Sequence, residues 1–230
     1  MMMQAPGDGA ISPELISSLF GEEAVERTRE AIARYARLMA YYRCAMMEIE
    51  TKLNVLNEEF SLRYDRNPIT AVKTRLKRPE SIREKLMRGG HPMTLESIEE
   101  NLSDVAGVRV ICAFPADVYT LAEALLSQDD VTLLVRKDYI KTPKPNGYRS
   151  LHLVVSVPIF LEKEKRLMRV EVQLRTIAMD SWASLEHQLR YKKDTVFTPE
   201  MAEELLRCAG LSAELDERMD GLRRMTGLEA

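Results

Sequence analysis

Apolar positions at Tyr35, Met39, Tyr42, Met46, Ile49, Leu53, Leu56 and Phe60 recur at alternating steps of four and three residues, the period of one helical stripe. They predict a long helix with one face packed on a sheet or a second subunit. Further along the chain the period changes to two. Between Ser150 and Val157, the residues Leu151, Leu153, Val155 and Val157 take one side while Ser150, His152, Val154 and Ser156 take the other. Between Met168 and Arg175, Val170, Val172 and Leu174 oppose Arg169, Glu171, Gln173 and Arg175. Each segment is predicted as a strand with an apolar face for a core and a second face available for chemistry. The run from Val105 to Cys112 reads the same way, with Val108, Val110 and Cys112 opposite Arg109, and Val131 to Arg136 is a further strand.

Between these strands lie helical patterns. One starts near Pro79, a favoured first-turn residue, and ends before Gly89-Gly90. Others run from Ala116 to Ser127 and from Ile177 to about Lys192, and Thr198-Pro199-Glu200 opens a last one that continues toward Met225. Strands interleaved with helices predict an α/β or α+β fold. Residues 1–20, with Pro6, Gly7, Gly9 and Pro13, read as poorly ordered. Residues 21–197 form the main domain, and residues 198–230 form a helical extension suited to oligomerisation.

Composition narrows the class. A chain of 230 residues with 45% hydrophobic and 30% charged residues is that of an ordinary soluble globular protein. The net charge of −3 argues against a general nucleic-acid binder. Local charge differs: from Val72 to Gly90, Lys73, Arg75, Lys77, Arg78, Arg83, Lys85 and Arg88 face only Glu80 and Glu84, an excess that fits a small polyanion. Cys44, Cys112 and Cys208 are odd in number and widely spaced, which supports neither a disulfide framework nor a zinc site. No apolar run reaches the roughly 20 residues of a membrane span, and no leader-like N-terminus is visible, so the chain reads as cytoplasmic, without a membrane or DNA partner.

The segment DYIKTPKPNGYRSLH, from Asp138 to His152, carries the most specific chemistry. Pro143 and Pro145 hold Thr142 and Lys144 extended, and Asn146-Gly147 signals a turn. The aromatic Tyr148 is expected to be exposed beside lysines and Arg149, a stacking platform for a base with cations for phosphate. Three further segments accompany it: TRLKRPESIREKLMR (Thr74 to Arg88), SDVAGVRV (Ser103 to Val110) and VEVQLRTIAMDSWASLEHQLRYK (Val170 to Lys192). In this order they resemble the synthetase domain of the RelA/SpoT-like family, and most closely its short members, the small alarmone synthetases.

That resemblance implies a nucleotidyltransferase-like mixed sheet flanked by helices. It also implies GTP pyrophosphokinase activity, the transfer of the β,γ-pyrophosphate of ATP to the 3′-hydroxyl of GDP or GTP. By position in the matching motifs, Arg75 and Arg109 are expected to sandwich adenine, with Lys77, Ser81, Lys85 and Arg88 on the triphosphate. Ser81, Lys85 and Arg88 share one helix face. Asp104 and Glu171 match the carboxylates that hold Mg²⁺; Glu171 is alternatively the acceptor of the hydroxyl proton. Tyr148 matches the residue that stacks on guanine, with Lys144, Asn146, His152 and Gln173 along the sugar and phosphates. His152 is equally readable as a structural histidine. Lys137, Lys141 and Arg175 are weaker phosphate contacts, and Trp182, Glu186 and His187 are read as packing and hydrogen-bonding residues.

Short relatives imply a homo-oligomer, a tetramer through terminal helices, with pppGpp as a candidate allosteric effector. The histidines, His91, His152 and His187, form no His-Asp motif, so synthesis without alarmone hydrolysis is expected. Two alternatives remain open at this stage. One is a toxin-type relative that modifies adenosine nucleotides or the 3′ end of tRNA. The other is a noncatalytic nucleotide- or RNA-binding module, which the presence of both Asp104 and Glu171 disfavours.

Overall fold

The computed structural model describes residues 21–64, 66–190 and 196–227. The expected disorder of residues 1–20 and the helix end at Lys192 lie outside them. The chain divides into two compact units, Met1–Ala40 and Tyr41–Ala230. In the first, the described residues are the opening turns of α1 (Glu22–Tyr64), which begins with Glu22 and Glu23 at its positive end. Exposed pairs Arg27–Glu23 and Arg29–Glu26 line this segment.

The rest of α1 belongs to the second unit. There the predicted stripe is buried at Tyr42, Met46, Ile49, Leu53 and Leu56 and half-buried at Phe60, while of its two positions in the first unit Met39 is buried and Tyr35 half-buried. Five strands follow: β1 (Ile69–Leu76), β2 (Ala106–Cys112), β3 (Thr132–Asp138), β4 (Leu151–Phe160) and β5 (Lys165–Thr176). They form one sheet in the order β1-β2-β5-β4-β3, in which β2 and β5 run parallel and every other pair is antiparallel. The helices are α2 (Pro79–Arg88), α3 (Leu95–Asn101), α4 (Pro115–Leu126), α5 (Ile177–Arg190) and α6 (Pro199–Met225). The sheet is therefore the mixed, helix-flanked one expected.

One face of the sheet makes the core. Val108, Val110, Cys112, Leu151, Leu153, Val155, Val172 and Leu174 are all buried there, the positions the period of two assigns inward. Ile82, Leu86, Ile98, Val118, Leu121 and Leu125 bury the apolar sides of α2, α3 and α4. At α6 the hydroxyl of Thr198 accepts the Met201 N–H at 3.3 Å, the cap expected from sequence.

Two elements are not announced by the hydrophobic pattern. β1 is an edge strand whose Lys73, Thr74 and Arg75 are exposed in succession, so it shows little alternation in hydrophobicity. α3 is held by Thr94, whose hydroxyl accepts the Ser97 N–H at 3.1 Å, but it is too short to display a helical period. Among the described residues no helix is long and apolar enough to cross a membrane.

Candidate nucleotide site

Strand register brings the predicted site residues together. Cross-strand partners point to the same face, so pairing lines up two adjacent rows on the face opposite the core. One row reads Lys73, Arg109, Gln173, His152 and Lys137; the next reads Arg75, Gly107, Glu171 and Val154. Over them opens a cavity of about 360 Å³ lined by Lys73, Arg75, Lys77, Asp104, Gly107, Val108, Arg109, Glu171 and Gln173. Gly107 contributes no side chain between Arg75 and Glu171, which keeps the floor open.

Asp104 precedes β2, beside the end of β1, where the Lys77 N–H donates to the Val105 carbonyl at 2.8 Å. The Lys77 ammonium donates to Asp104 Oδ2 at 2.6 Å, and Lys85 Nζ stands 2.9 Å from Oδ1 as an ion pair. Burial pushes this carboxyl up, but the two lysines more than offset it and hold it below the ordinary range. Glu171 is also pushed up by burial. The bond from His152 Nδ1 at 3.2 Å and that from Gln173 Nε2 at 2.8 Å outweigh the burial, so Glu171 too lies below its usual value. Two anions thus persist at neutral pH in one cleft rich in cations.

The pair suits a divalent cation. Asp104 Oδ1 is buried and, despite the nearby Lys85, lacks a partner in hydrogen-bonding geometry. No cluster of three or more acidic, His or Cys ligands exists among the described residues. Asp104 and Glu171 could hold Mg²⁺, which takes one or two carboxylates and draws its remaining ligands from phosphates and water.

The loop after β3 forms the other side. Gly147 adopts φ +89°, its N–H donates to the Lys144 carbonyl at 2.8 Å, and the Tyr148 N–H bonds Asn146 Oδ1 at 3.2 Å. Tyr148 is half-buried, not exposed as the sequence suggested, because its hydroxyl is pinned from three directions. Arg175 Nη2 lies 2.6 Å away, Ser150 Oγ 3.0 Å and His152 Nε2 2.8 Å. One proton assignment satisfies every atom: Arg175 and Ser150 donate to the phenol oxygen, the phenol donates to Nε2, and Nδ1–H donates to Glu171. Tyr148 is linked in this way to Glu171 through His152. Lys144 Nζ lies 4.6 Å from the Tyr139 ring centre and 4.7 Å from that of Tyr148.

Other predicted residues fall elsewhere. Ser81 is half-buried on α2 and Arg88 is exposed at its end, and neither lines the cavity. Lys137 is exposed on β3, and exposed Lys141 has its Nζ 5.3 Å from the Tyr119 ring. Arg175 is buried and spends its guanidinium on Tyr148, on Gln173 Oε1 at 2.9 Å and on Asp180 at 3.3 Å. Asn146 Nδ2 also reaches Glu186 at 3.4 Å, and buried Trp182 donates to the Leu205 carbonyl at 2.9 Å.

Two contributors escape a motif-based reading. Asp180, in the first turn of α5, accepts from Arg109 and Arg175 at 3.3 Å each and from Lys73 at 3.2 Å. Tyr139 supplies the second ring beside Lys144. The signal for Asp180 is an acidic residue in a helix first turn just beyond a strand of cations; by itself it reads only as favourable placement at the positive helix end.

Comparison with known proteins identifies the family. The family model described as a region found in RelA / SpoT proteins matches residues 74–196. GTP pyrophosphokinase YwaC of Bacillus subtilis (strain 168) is 42% identical over 183 residues, which cover 80% of this chain and 87% of that protein. The crystal structure of small alarmone synthetase 2 from Bacillus subtilis superposes with a TM-score of 0.75 at 39% identity, covering 83% of this chain and 98% of that one. Small alarmone synthetase 1 from the same organism, bound to its product pppGpp, gives a TM-score of 0.76 at 35% identity, covering 84% and 97%. A match over more than half the chain, together with near-complete coverage of these relatives, establishes that the chain belongs to the RelA/SpoT family of GTP pyrophosphokinases.

Proposed function

We propose that this protein transfers the β,γ-pyrophosphate of ATP to the 3′-hydroxyl of GDP or GTP, forming ppGpp or pppGpp and releasing AMP. The observation that supports the reading is the pair of adjacent sheet rows that holds Arg109, Gln173 and His152 beside Arg75 and Glu171, next to a cavity that Asp104 and Glu171 both line. The relative bound to pppGpp supports the guanine nucleotide as acceptor.

On the donor side, Arg75 and Arg109 present planar guanidinium groups to the base. Lys77 and Lys85, already held at Asp104, take the triphosphate, with Ser81 and Arg88 on the same helix as Lys85. On the acceptor side, Tyr148 is a fixed stacking platform for guanine, and Lys144, Asn146, His152 and Gln173 line the sugar and phosphates. Asp104, with Glu171, would hold Mg²⁺, which when bound screens the phosphate oxygens and draws them into line. Glu171, oriented by His152 and Gln173, accepts the proton of the attacking hydroxyl. The new bond joins the 3′-oxygen to the β-phosphorus as the bond to the α-phosphate oxygen breaks. The protein's work is alignment and charge neutralisation, which suits a site built from cations on a rigid sheet.

Exposed Leu211, Leu215, Met219 and Leu222 on α6 support the expected homo-oligomer, which light scattering on a sizing column tests. Activity is tested with labelled ATP and GDP, GTP, GMP, ATP or tRNA as acceptor. Product only on tRNA refutes the guanine assignment.

A further inference from the structure

The family match ends at residue 196, short of α6, yet α6 holds the acceptor loop in place. Gly147 lies so close to this helix that a Cβ added to it would meet Ala209 Cβ at 2.5 Å and Leu206 Cδ1 at 3.2 Å. Ala209 is buried at that contact, with 5% exposure. On the far side of Tyr148, Arg149 Nη1 donates to Asp216 Oδ2 at 3.4 Å. Thr176 Oγ1, at the end of β5, donates to the same oxygen at 2.9 Å. The buried Asp216 carboxylate therefore ties loop, sheet and helix at one point. The bond from Trp182 to the Leu205 carbonyl fixes α6 on α5 beside these contacts.

Both chain neighbours of Tyr148 are thus anchored on α6, while its side chain turns to His152, Ser150 and Arg175. A backbone held on both sides leaves the ring one place to stand. The donor-side lysines take their positions from Asp104 instead.

We propose that α6 is a positioning element of the acceptor site, in which Ala209 and Asp216 set the place of Tyr148 and hence the affinity for the guanine nucleotide. The inference rests on the reading of the Tyr148 loop as the acceptor site. A larger residue at 209 pushes on Gly147, which has no freedom to retreat without moving Tyr148. Loss of charge at 216 releases Arg149 while sparing the shape of the side chain.

The test is steady-state kinetics on the full chain with ATP and GTP varied in turn, for Ala209→Leu, Asp216→Asn and Tyr148→Ala, with thermal melts alongside. Ala209→Leu is expected to raise the GTP KM about tenfold, equivalent to ~1.4 kcal/mol. Asp216→Asn is expected to raise it less, and both should leave the ATP KM at the wild-type value. If Ala209→Leu does not fold, Asp216→Asn decides the matter. Lower melting temperatures with both KM values unchanged, or equal rises in both, would overturn the proposal. If Tyr148→Ala raises the GTP KM and the α6 variants do not, the α6 inference alone fails. If Tyr148→Ala leaves the GTP KM unchanged, the acceptor reading fails and the inference falls with it.

Discussion

Asp180→Asn keeps the shape of a buried side chain but removes the single negative charge shared by three cations. In the wild type, Oδ1 accepts from Arg109 and Arg175 at 3.3 Å each and Oδ2 from Lys73 at 3.2 Å. Removing one partner of a buried ion pair costs about 3–5 kcal/mol, because the opposite charge is left uncompensated. The lower end applies here. Arg175 is buried, but the Arg109 and Lys73 side chains are 34% and 57% exposed, so water takes over part of their solvation. A loss of about 3 kcal/mol lowers the melting temperature of a chain this size by roughly 6–12 °C. Burial already pushes the Arg109 guanidinium below its ordinary value, with Arg175 adding to the effect and Asp180 opposing it. Without that opposition the two arginines move apart. Arg109 lines the cavity proposed for ATP and Arg175 braces Tyr148, so the KM for ATP and that for the acceptor are both expected to rise. Melts followed by circular dichroism and steady-state kinetics read both effects, with Lys73→Ala as a control that removes only the most exposed cation. A variant that melts within about 2 °C of wild type with unchanged KM values would show that Asp180 does not hold the two arginines.

Other expectations are simpler. Lys85→Ala removes the cation 2.9 Å from Asp104 and should raise the ATP KM by about tenfold with little change in the acceptor KM; the reverse pattern would move Lys85 out of the donor site. Gly147→Ala combines a positive φ with a 2.5 Å clash, so chemical denaturation should show about 2–4 kcal/mol lost, against no loss if the loop is loosely held. Leu53→Ala empties a fully buried position on α1 and should cost about 2–5 kcal/mol in the same experiment, a cost that would be absent if the stripe were exposed in solution. Burial raises the Asp216 carboxyl above its ordinary value, against the pull of Thr176 and Arg149. The folded state therefore binds this proton more tightly than the unfolded chain, and the group's contribution to stability is lost as pH rises through the window above the ordinary carboxyl value. Melting temperatures of Asp216→Asn relative to wild type should thus improve as pH rises through that window, and a gap independent of pH would contradict the assignment.

The alternation in β4 and β5 was legible because each strand buries one face, and a period of two then sorts His152, Glu171 and Gln173 from the core without knowledge of their neighbours. What alternation does not carry is register. The parallel pairing of β2 with β5, and of both with antiparallel partners, decides that Arg109 stands beside Gln173 and Arg75 across Gly107 from Glu171. β1 stayed hidden because an edge strand that faces a polyanion is polar where a core strand is apolar. Tyr148 was found by its setting, but its half-buried state depends on Arg175, Ser150 and His152, two of them on strands outside its loop. Asp180 and Asp216 read as ordinary helix surface acids in isolation, and only the packing of α5 and α6 turns them toward Arg109, Arg175, Thr176 and Arg149. For α6, sequence pointed to a helical extension suited to an oligomer, whereas its inward contacts reach the loop that carries Tyr148.

One sheet face is proposed to bring a donor and a guanine acceptor together around Asp104 and Glu171. Incubation of the protein with Mg²⁺, γ-labelled ATP and GDP or GTP, followed by identification of the labelled product, addresses it directly when run beside Asp104→Ala and Glu171→Gln. Label is expected in guanosine tetra- or pentaphosphate with wild type and is expected to be lost in both variants. Full activity in Asp104→Ala, or label transferred only to tRNA, would contradict it.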